Sequence, residues 1–416
     1  MVRRKTIWLI NQYAMPPHLE SRLRTIKFAH YLRESGYEVI IFSSSIMHNM
    51  NKNLITDNSS YILKQYDDLK FVFINTISYS KNGIKRFLGL IQFPIKLFLI
   101  SRKFKKPNVI IQTATVPFGN ILYYCAKMLK AQYNVEILDL WPQTFVDLGM
   151  ISPKNPLLKL AYMSEKWLYK KADNIVFSME GGKDYIIDKK WDIDNGGPID
   201  LKKVFYINNG VDLKDFEFNK SNYILEDDDL DNNDIIKVIY LGSIRLANNV
   251  IELIKAAEII QDKNNIKFLI YGDGDDRERL INYCKSKNIN NVIFKQKWIE
   301  PKYVPYVLSN STINILNYKS GDFGKYGGSQ SKLFQYMASG KPICCNLDMM
   351  YCPIKANNIG IAKNFSNEKE YADAILTLIN LDYKEYDSMC ERAKEAAKMY
   401  DYPELTRKMI SVFEDK

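Results

Sequence analysis

Short apolar runs with the length of buried strands alternate with helix-period segments along this chain, and the pattern occurs twice. The first series falls at residues 6–10, 38–43, 71–74, 109–112, 135–138, 175–178 and 204–207, with a helix expected over 21–34. The second falls at 236–241, 266–271, 292–295, 313–316 and 342–345, and helical periods follow at 384–399 and 403–413. Strands of nearly unbroken Ile, Val and Leu are covered on both faces, which calls for helices between them and parallel pairing. Between the series, Glu226, Asp227, Asp228, Asp229, Asp231 and Asp234 stand among asparagines, so residues 219–234 read as an acidic surface linker. The expected fold is α/β: two Rossmann-like doubly wound domains, 1–218 and 235–399, with a final helix at about 400–416 packing back on the first. Open parallel sheets bind ligands beyond the carboxyl ends of their strands, which places the expected site in a cleft faced by both sheets.

Charge and cysteine usage narrow the function. The six cysteines form no Cys-x-x-Cys pair and there are three histidines, which speaks against zinc or a disulfide framework and fits a reducing cytoplasm. The acidic stretch has no calcium-loop spacing, so no metal is expected. The net charge of +10 is uneven: no acidic residue occurs from Leu69 to Val135, a stretch that holds eleven lysines and arginines. Within residues 81–106, bulky apolar residues alternate with cations. One reading is contact with an anionic membrane surface; the other is a helix packed on its own domain with a solvated basic face. No nucleic-acid-binding module is recognisable, so nucleic acid is not an expected partner. The apolar segment 87–100 is broken by Pro94 and Lys96 and is shorter than the ~20 residues of a bilayer span, and the run 7–10 is too short for a signal peptide.

The densest signal is Tyr326-Gly327-Gly328-Ser329-Gln330-Ser331-Lys332-Leu333-Phe334-Gln335-Tyr336-Met337-Ala338-Ser339-Gly340-Lys341-Pro342. It reads as a glycine loop opening a short helix that Gly340 stops. Glycine lets backbone approach a ligand, and the free amides of a helix start favour an anion. Ser329 or Ser331 can cap that end or donate to phosphate. Lys332 stands in the first turn, where the helix dipole disfavours a cation, a placement that makes sense opposite an anion.

This segment resembles the donor-binding signature of GT-B glycosyltransferases, in particular the large retaining family four. Asn209-Gly210-Val211-Asp212 with Phe216, Tyr240-Leu241-Gly242-Ser243-Ile244-Arg245, and Tyr271-Gly272-Asp273-Gly274 are similar to further elements of that family, in the same order. The resemblance implies a nucleotide-sugar donor, UDP-linked by family frequency, and no cofactor. It implies that Gly242, Ser243, Gly272, Gly274 and the amides from Gly328 through Ser329 and Ser331 to Leu333 surround the diphosphate. Arg245 and Lys332 would then neutralise the leaving group. Gln335 would meet the ribose, and the loop at Gln296 and Trp298 the base. The chain departs from the family where Gly327 and Gln335 replace the usual Glu-x7-Glu, and where Leu246-Ala247-Asn248-Asn249 holds no lysine after the arginine.

In the first half, Leu138-Asp139-Leu140-Trp141-Pro142 ends a strand where resembling enzymes place an Asp or His beside the anomeric carbon. Asp139 is either that group or the cap of the next turn. His18, Arg22 and Arg24 lie in and just beyond the loop after the first strand, and Thr113 closes another strand; His18, Arg22 and Thr113 are candidate acceptor-side groups. The resemblance implies a retaining transfer to an oligosaccharide or lipid-linked acceptor in surface polysaccharide synthesis, by a cytoplasmic enzyme peripheral to the inner face of the membrane. Two alternatives stay open: a sugar-nucleotide epimerase on the same fold, and a non-catalytic nucleotide-sugar-binding partner of another transferase.

Overall fold

The computed structural model describes residues 4–19, 23–47, 52–79, 83–115, 118–147, 149–319 and 324–414. The chain divides into two units, Met1–Asn208 with Leu405–Lys416, and Asn209–Glu404.

In order, the first unit contains β1 (Thr6–Ile10), α1 (Arg24–Glu34), β2 (Glu38–Ser44), the two-residue strands β3 (Ile46–Met47) and β4 (Lys52–Asn53), β5 (Tyr61–Tyr66) and β6 (Leu69–Ile74). It continues through α2 (Ile84–Ile100), β7 (Val109–Thr113), α3 (Ile121–Leu129), β8 (Gln132–Ile137), α4 (Gln143–Asp147), α5 (Pro156–Lys171), β9 (Asn174–Phe177), α6 (Gly182–Asp188) and β10 (Val204–Tyr206). Eight strands form one sheet in the order β10-β9-β8-β7-β1-β2-β6-β5. Every pair is parallel except β5 with β6. All five residues of β1 are buried, as double-sided cover requires. The chain order reverses between β1 and β7, which makes their carboxyl ends the switch point of this sheet.

The second unit contains α7 (Leu213–Asn222), α8 (Asp228–Asp231), β11 (Ile236–Leu241), α9 (Val250–Ile259), β12 (Ile266–Tyr271), α10 (Arg277–Ser286), β13 (Val292–Phe294), α11 (Val304–Ser309) and β14 (Ile313–Leu316). After these come α12 (Ser331–Ala338), β15 (Ile343–Cys345), α13 (Pro353–Ala356), β16 (Gly360–Ala362), α14 (Glu368–Ile379) and α15 (Tyr383–Lys398). The six strands run parallel in the order β13-β12-β11-β14-β15-β16, the Rossmann order, with its switch point between β11 and β14. The core packs Tyr240, Ile270 and Ile315 against Leu253 and Ala257 of α9 and Ile375 of α14.

The last helix, α16 (Tyr402–Glu414), joins the first unit from Leu405 onward. There Asn174 Nδ2 donates to the Val412 carbonyl at 2.7 Å, and Lys5 pairs with Glu414 at 2.8 Å.

Residues 219–234, expected as a solvated linker, are built into the second unit instead. Lys295 Nζ reaches Asp227 at 2.5 Å and Asp229 at 2.6 Å, and Tyr271 donates to Asp227 at 3.0 Å. Leu230 is fully buried, and its carbonyl accepts from the buried Lys237 ammonium at 2.6 Å. The acids are held because a partly buried lysine faces them. The unit boundary accordingly falls at Asn208/Asn209 rather than after residue 218.

Candidate active site

In the second unit, three sequence motifs meet at the switch point. Gly242 follows β11 with φ +152° and Gly272 follows β12 with φ +130°. A Cβ on Gly272 would stand 1.9 Å from the Gly242 carbonyl oxygen, and one on Gly274 would stand 2.0 Å from the Ile244 carbonyl oxygen. The two strand-end loops therefore lie backbone on backbone, which only glycine permits. Gly242 N donates to the Tyr271 carbonyl at 3.0 Å and Ile244 N to the Asp273 carbonyl at 2.8 Å. Gln296 closes the same corner, its carbonyl accepting from Gly272 N at 3.0 Å, with its own side chain and that of Trp298 exposed.

The third motif arrives on α12. Leu333, Phe334, Tyr336 and Met337 form its buried face, and Tyr336 Oη donates to the Leu241 carbonyl at 3.1 Å, tying the helix to the end of β11. Lys332 is thereby directed inward. A Cβ on Gly242 would meet its Nζ at 2.6 Å, so the absence of a side chain at Gly242 makes room for the ammonium. The Lys332 Nζ is buried, lies 5.0 Å from the centroid of the Tyr240 ring and has no hydrogen-bond partner among the described residues. Desolvation pulls its pKa down to about 8. The helix dipole adds to the disfavour.

Of the other residues expected on the donor side, Arg245 is exposed and unpaired among the described residues, and Ser243 is exposed with its carbonyl held by Tyr240 Oη at 2.6 Å. Ser331 is exposed at the helix start and Gln335 is half-exposed one turn on. Two details differ from the expected cradle of free amides. Leu333 N already donates to the Gln330 carbonyl at 3.1 Å. Ser329 Oγ accepts from Asn209 N at 3.1 Å, so this serine also anchors the segment leading to Asp212, which caps α7. Gly328 packs against Met349, whose Sδ would lie 2.8 Å from an added Cβ.

In the first unit, the switch point holds a buried ion pair. Arg24 Nε donates to Glu136 at 2.9 Å, Nη2 to the Ile207 carbonyl at 2.8 Å and Nη1 to the Asn208 carbonyl. Thr113 Oγ1 donates to the other Glu136 oxygen at 3.1 Å. Arg24, read from its sequence position as lining the open loop, is instead a buried structural cation. Glu136 was not singled out by sequence, because its partner lies 112 residues away. His18 stands against Tyr66 of β5 with ring centroids 5.3 Å apart, and β5 is three strands from β1 in the sheet. The structure therefore does not bring His18 to Thr113. Arg22 lies outside the described residues. Asp139, two residues beyond β8, is exposed and receives no hydrogen bond on its carboxylate among the described residues, so it does not cap the following turn. Neighbouring protein atoms desolvate its carboxyl and hold it above the ordinary carboxylate range.

The family model described as "Glycosyl transferases group 1" matches residues 226–399, the greater part of the unit that holds Lys332. Residues 226–399 are thus similar to a group 1 glycosyl transferase domain. A poly(ribitol-phosphate) alpha-N-acetylglucosaminyltransferase from Staphylococcus aureus (strain COL) is 25% identical over 172 residues, 39% of this chain. That match spans 32% of the relative's length. Solved structures similar over the whole chain include sucrose-phosphate synthase from Thermosynechococcus elongatus, at TM-score 0.70 and 13% identity with 99% of each chain covered. An E. coli trehalose-6-phosphate structure bound with UDP-2-fluoro glucose has TM-score 0.75 and 9% identity, with 98% of each chain covered. An Anabaena protein in complex with UDP and glucose has TM-score 0.65 and 12% identity, covering 99% of this chain and 100% of that one. At such identities the likeness shows the fold: two Rossmann-like units of the GT-B type. Every residue expected on the donor side lies within the match to that family model.

Proposed function

We propose that this protein is a retaining glycosyltransferase that moves a sugar from a nucleotide-diphosphate sugar, UDP-linked, to a lipid-linked glycan acceptor in surface polysaccharide synthesis. The observation that carries this reading is the Lys332 ammonium: buried, without a hydrogen-bond partner among the described residues, and set in the first turn of α12 against Gly242. A cation in that position is disfavoured twice and becomes favourable opposite an anion. The structures with UDP and with UDP-2-fluoro glucose support a UDP-sugar as that anion. In the reading, the bond between the anomeric carbon and the phosphate oxygen breaks and its electron pair leaves with the nucleoside diphosphate. Lys332, Arg245 and the loop amides take up the growing charge, so the step needs no metal. The acceptor hydroxyl forms the new bond on the same face, and its proton passes to the departing phosphate oxygen. Asp139, with an open carboxylate, supports the positive charge at the anomeric carbon. The acceptor is assigned to the membrane because the first unit exposes basic and apolar side chains together; residues 81 and 82 of the segment singled out in the sequence lie outside the described residues.

The test is to incubate the full chain with a panel of nucleotide sugars and extracted lipid-linked oligosaccharides and follow mass. The expected result is a gain of one sugar residue on the lipid-linked species with release of nucleoside diphosphate. Lys332→Ala or Arg245→Ala is expected to lower turnover at least ~100-fold, a few kcal/mol of leaving-group stabilisation. Epimerised free nucleotide sugar, or tight nucleotide binding with no transfer to any acceptor, would reject the reading.

A further inference from the structure

Beside Asp139 the first unit carries a groove of about 350 Å³, within the size range of ligand pockets. Its walls are Phe87 and Leu90 of α2, Trp141 and Pro142 after β8, and Leu158 and Ala161 of α5. Trp141 is two residues past Asp139, no more than ~7 Å of chain, and its amide donates to the Asp139 carbonyl at 3.0 Å. Apolar side chains that a protein ordinarily covers stand exposed around the rim: Ile84 at 79%, Leu157 at 69% and Leu160 at 61%. On the α2 side Arg86 lines the groove and Lys85, next to Ile84, is exposed; Lys154 and Lys159 are exposed on an adjoining pocket that shares Asn155 and Leu158 with the groove. The acids on α4 and α5 are engaged: Asp147 accepts from Gln143 at 2.7 Å, and the buried Glu165 from Tyr169 and Tyr185. The site thus joins a mainly apolar groove, an apolar rim and neighbouring cations to the exposed carboxylate of Asp139 at the strand end. A hydrocarbon chain carrying an anionic head matches these features: the chain fills the groove, the rim meets the bilayer, and Arg86, Lys85 and the lysines of the adjoining pocket favour the phosphate.

We propose that this groove binds the hydrocarbon chain of a lipid-phosphate acceptor and so delivers the acceptor's head to Asp139. The assignment rests on the glycosyl-transfer reading for what the head is, and on the groove alone for the chain. The probe is farnesyl phosphate, with a photoreactive diazirine near its chain end, added to the full protein. Labelling is expected on peptides containing Phe87–Leu90, Trp141–Phe145 or Leu158–Ala161. Ala161→Trp, which fills the groove, is expected to weaken farnesyl phosphate binding at least tenfold while UDP binding stays unchanged. Labelling elsewhere would overturn the proposal. So would undiminished probe binding by Ala161→Trp, or displacement of the probe by phosphatidylglycerol vesicles at an affinity equal to its own, which would make the site one for bulk lipid. If Ala161→Trp fails to bind UDP, the labelling pattern of the unaltered protein decides alone. Sugar transfer to a chainless, water-soluble acceptor without groove labelling would sink the groove and leave the transferase reading standing. Groove labelling with no sugar transfer to any acceptor would do the reverse.

Discussion

Lys332 illustrates how a single charge can report on a ligand. Its ammonium sits over the Tyr240 ring and beside Gly242, and burial lowers its pKa from the ordinary 10.5 to about 8. A diphosphate bound there favours the charged form and raises the pKa again, so binding is linked to proton uptake once the free lysine has begun to deprotonate. The sign follows: below about pH 8 the ammonium is already formed and affinity is flat; above it, each pH unit weakens UDP binding by up to ~10-fold until the pKa of the complex is reached. Isothermal titration between pH 6.5 and 9.5 is expected to show that break, and Lys332→Met is expected to bind weakly with the break gone. A break that persists in Lys332→Met would assign the titration to another group. Gly242 belongs to the same device, because a side chain at that position would occupy the place of the ammonium.

At the scale of elements, the buried carboxyl of α5 shows what a helix face can hold without taking part in chemistry. Glu165 is fully buried and accepts from Tyr169 at 2.7 Å and Tyr185 at 2.8 Å, yet desolvation dominates and pushes its pKa to about 8. Between the ordinary value of 4.5 and about 8 the folded state keeps a proton that the unfolded state has lost. Stability from this group is therefore full at the acid end, falls as pH rises through that window by up to ~1.4 kcal/mol per unit, and levels off above it. Urea unfolding at pH 5, 6.5 and 8 is expected to show the decline, and Glu165→Gln to flatten it; an unchanged slope in the variant would exclude Glu165 as its source. Which elements could be read from sequence has a similarly local cause. Strands such as β1, β11 and β12 are legible because cover on both faces makes them almost wholly apolar, with one lysine near the start of β11 and of β12. The edge strand β5, Tyr-Ile-Leu-Lys-Gln-Tyr, was missed because its largely exposed residues carry no such run. The loop and helix around Lys332 are legible because the glycines, the helix start and the cation are neighbours in sequence. Its contact with Tyr240, the Arg24–Glu136 pair and the Lys295 clamp on Asp227 join residues 68 to 112 apart, and no period or spacing encodes them. The position of His18 in its loop likewise says nothing of which way the loop turns.

For the whole molecule the decisive quantity is the uneven placement of a net charge of +10. No helix among the described residues is long and apolar enough to cross a membrane, whereas α2 and α5 each expose large apolar side chains with lysines between them. On α2, Leu90, Phe93 and Leu97 pack inward while Ile84, Phe87, Leu88, Ile95 and Leu99 stay exposed, so the helix is packed on its own unit and still presents an apolar outer side. Such a surface adsorbs through shallow burial of apolar groups plus attraction to anionic lipid. With each cation worth ~1 kcal/mol near a charged bilayer, replacing Lys85, Lys154 and Lys159 by Gln removes about 3 kcal/mol, roughly 100-fold in partition. Co-sedimentation with phosphatidylglycerol vesicles is expected to show that loss, and the unaltered protein is expected to release as ionic strength rises from 0.1 M, where the screening length is ~10 Å, toward 1 M, where it is ~3 Å. The apolar part of the surface adds to adsorption without discriminating lipid charge, so the triple variant is expected to discriminate less between phosphatidylglycerol and neutral phosphatidylcholine vesicles than the unaltered protein does. Equal binding of the unaltered protein to both vesicle types, insensitive to salt, would mean that these lysines serve solubility and that adsorption rests on the apolar side chains alone.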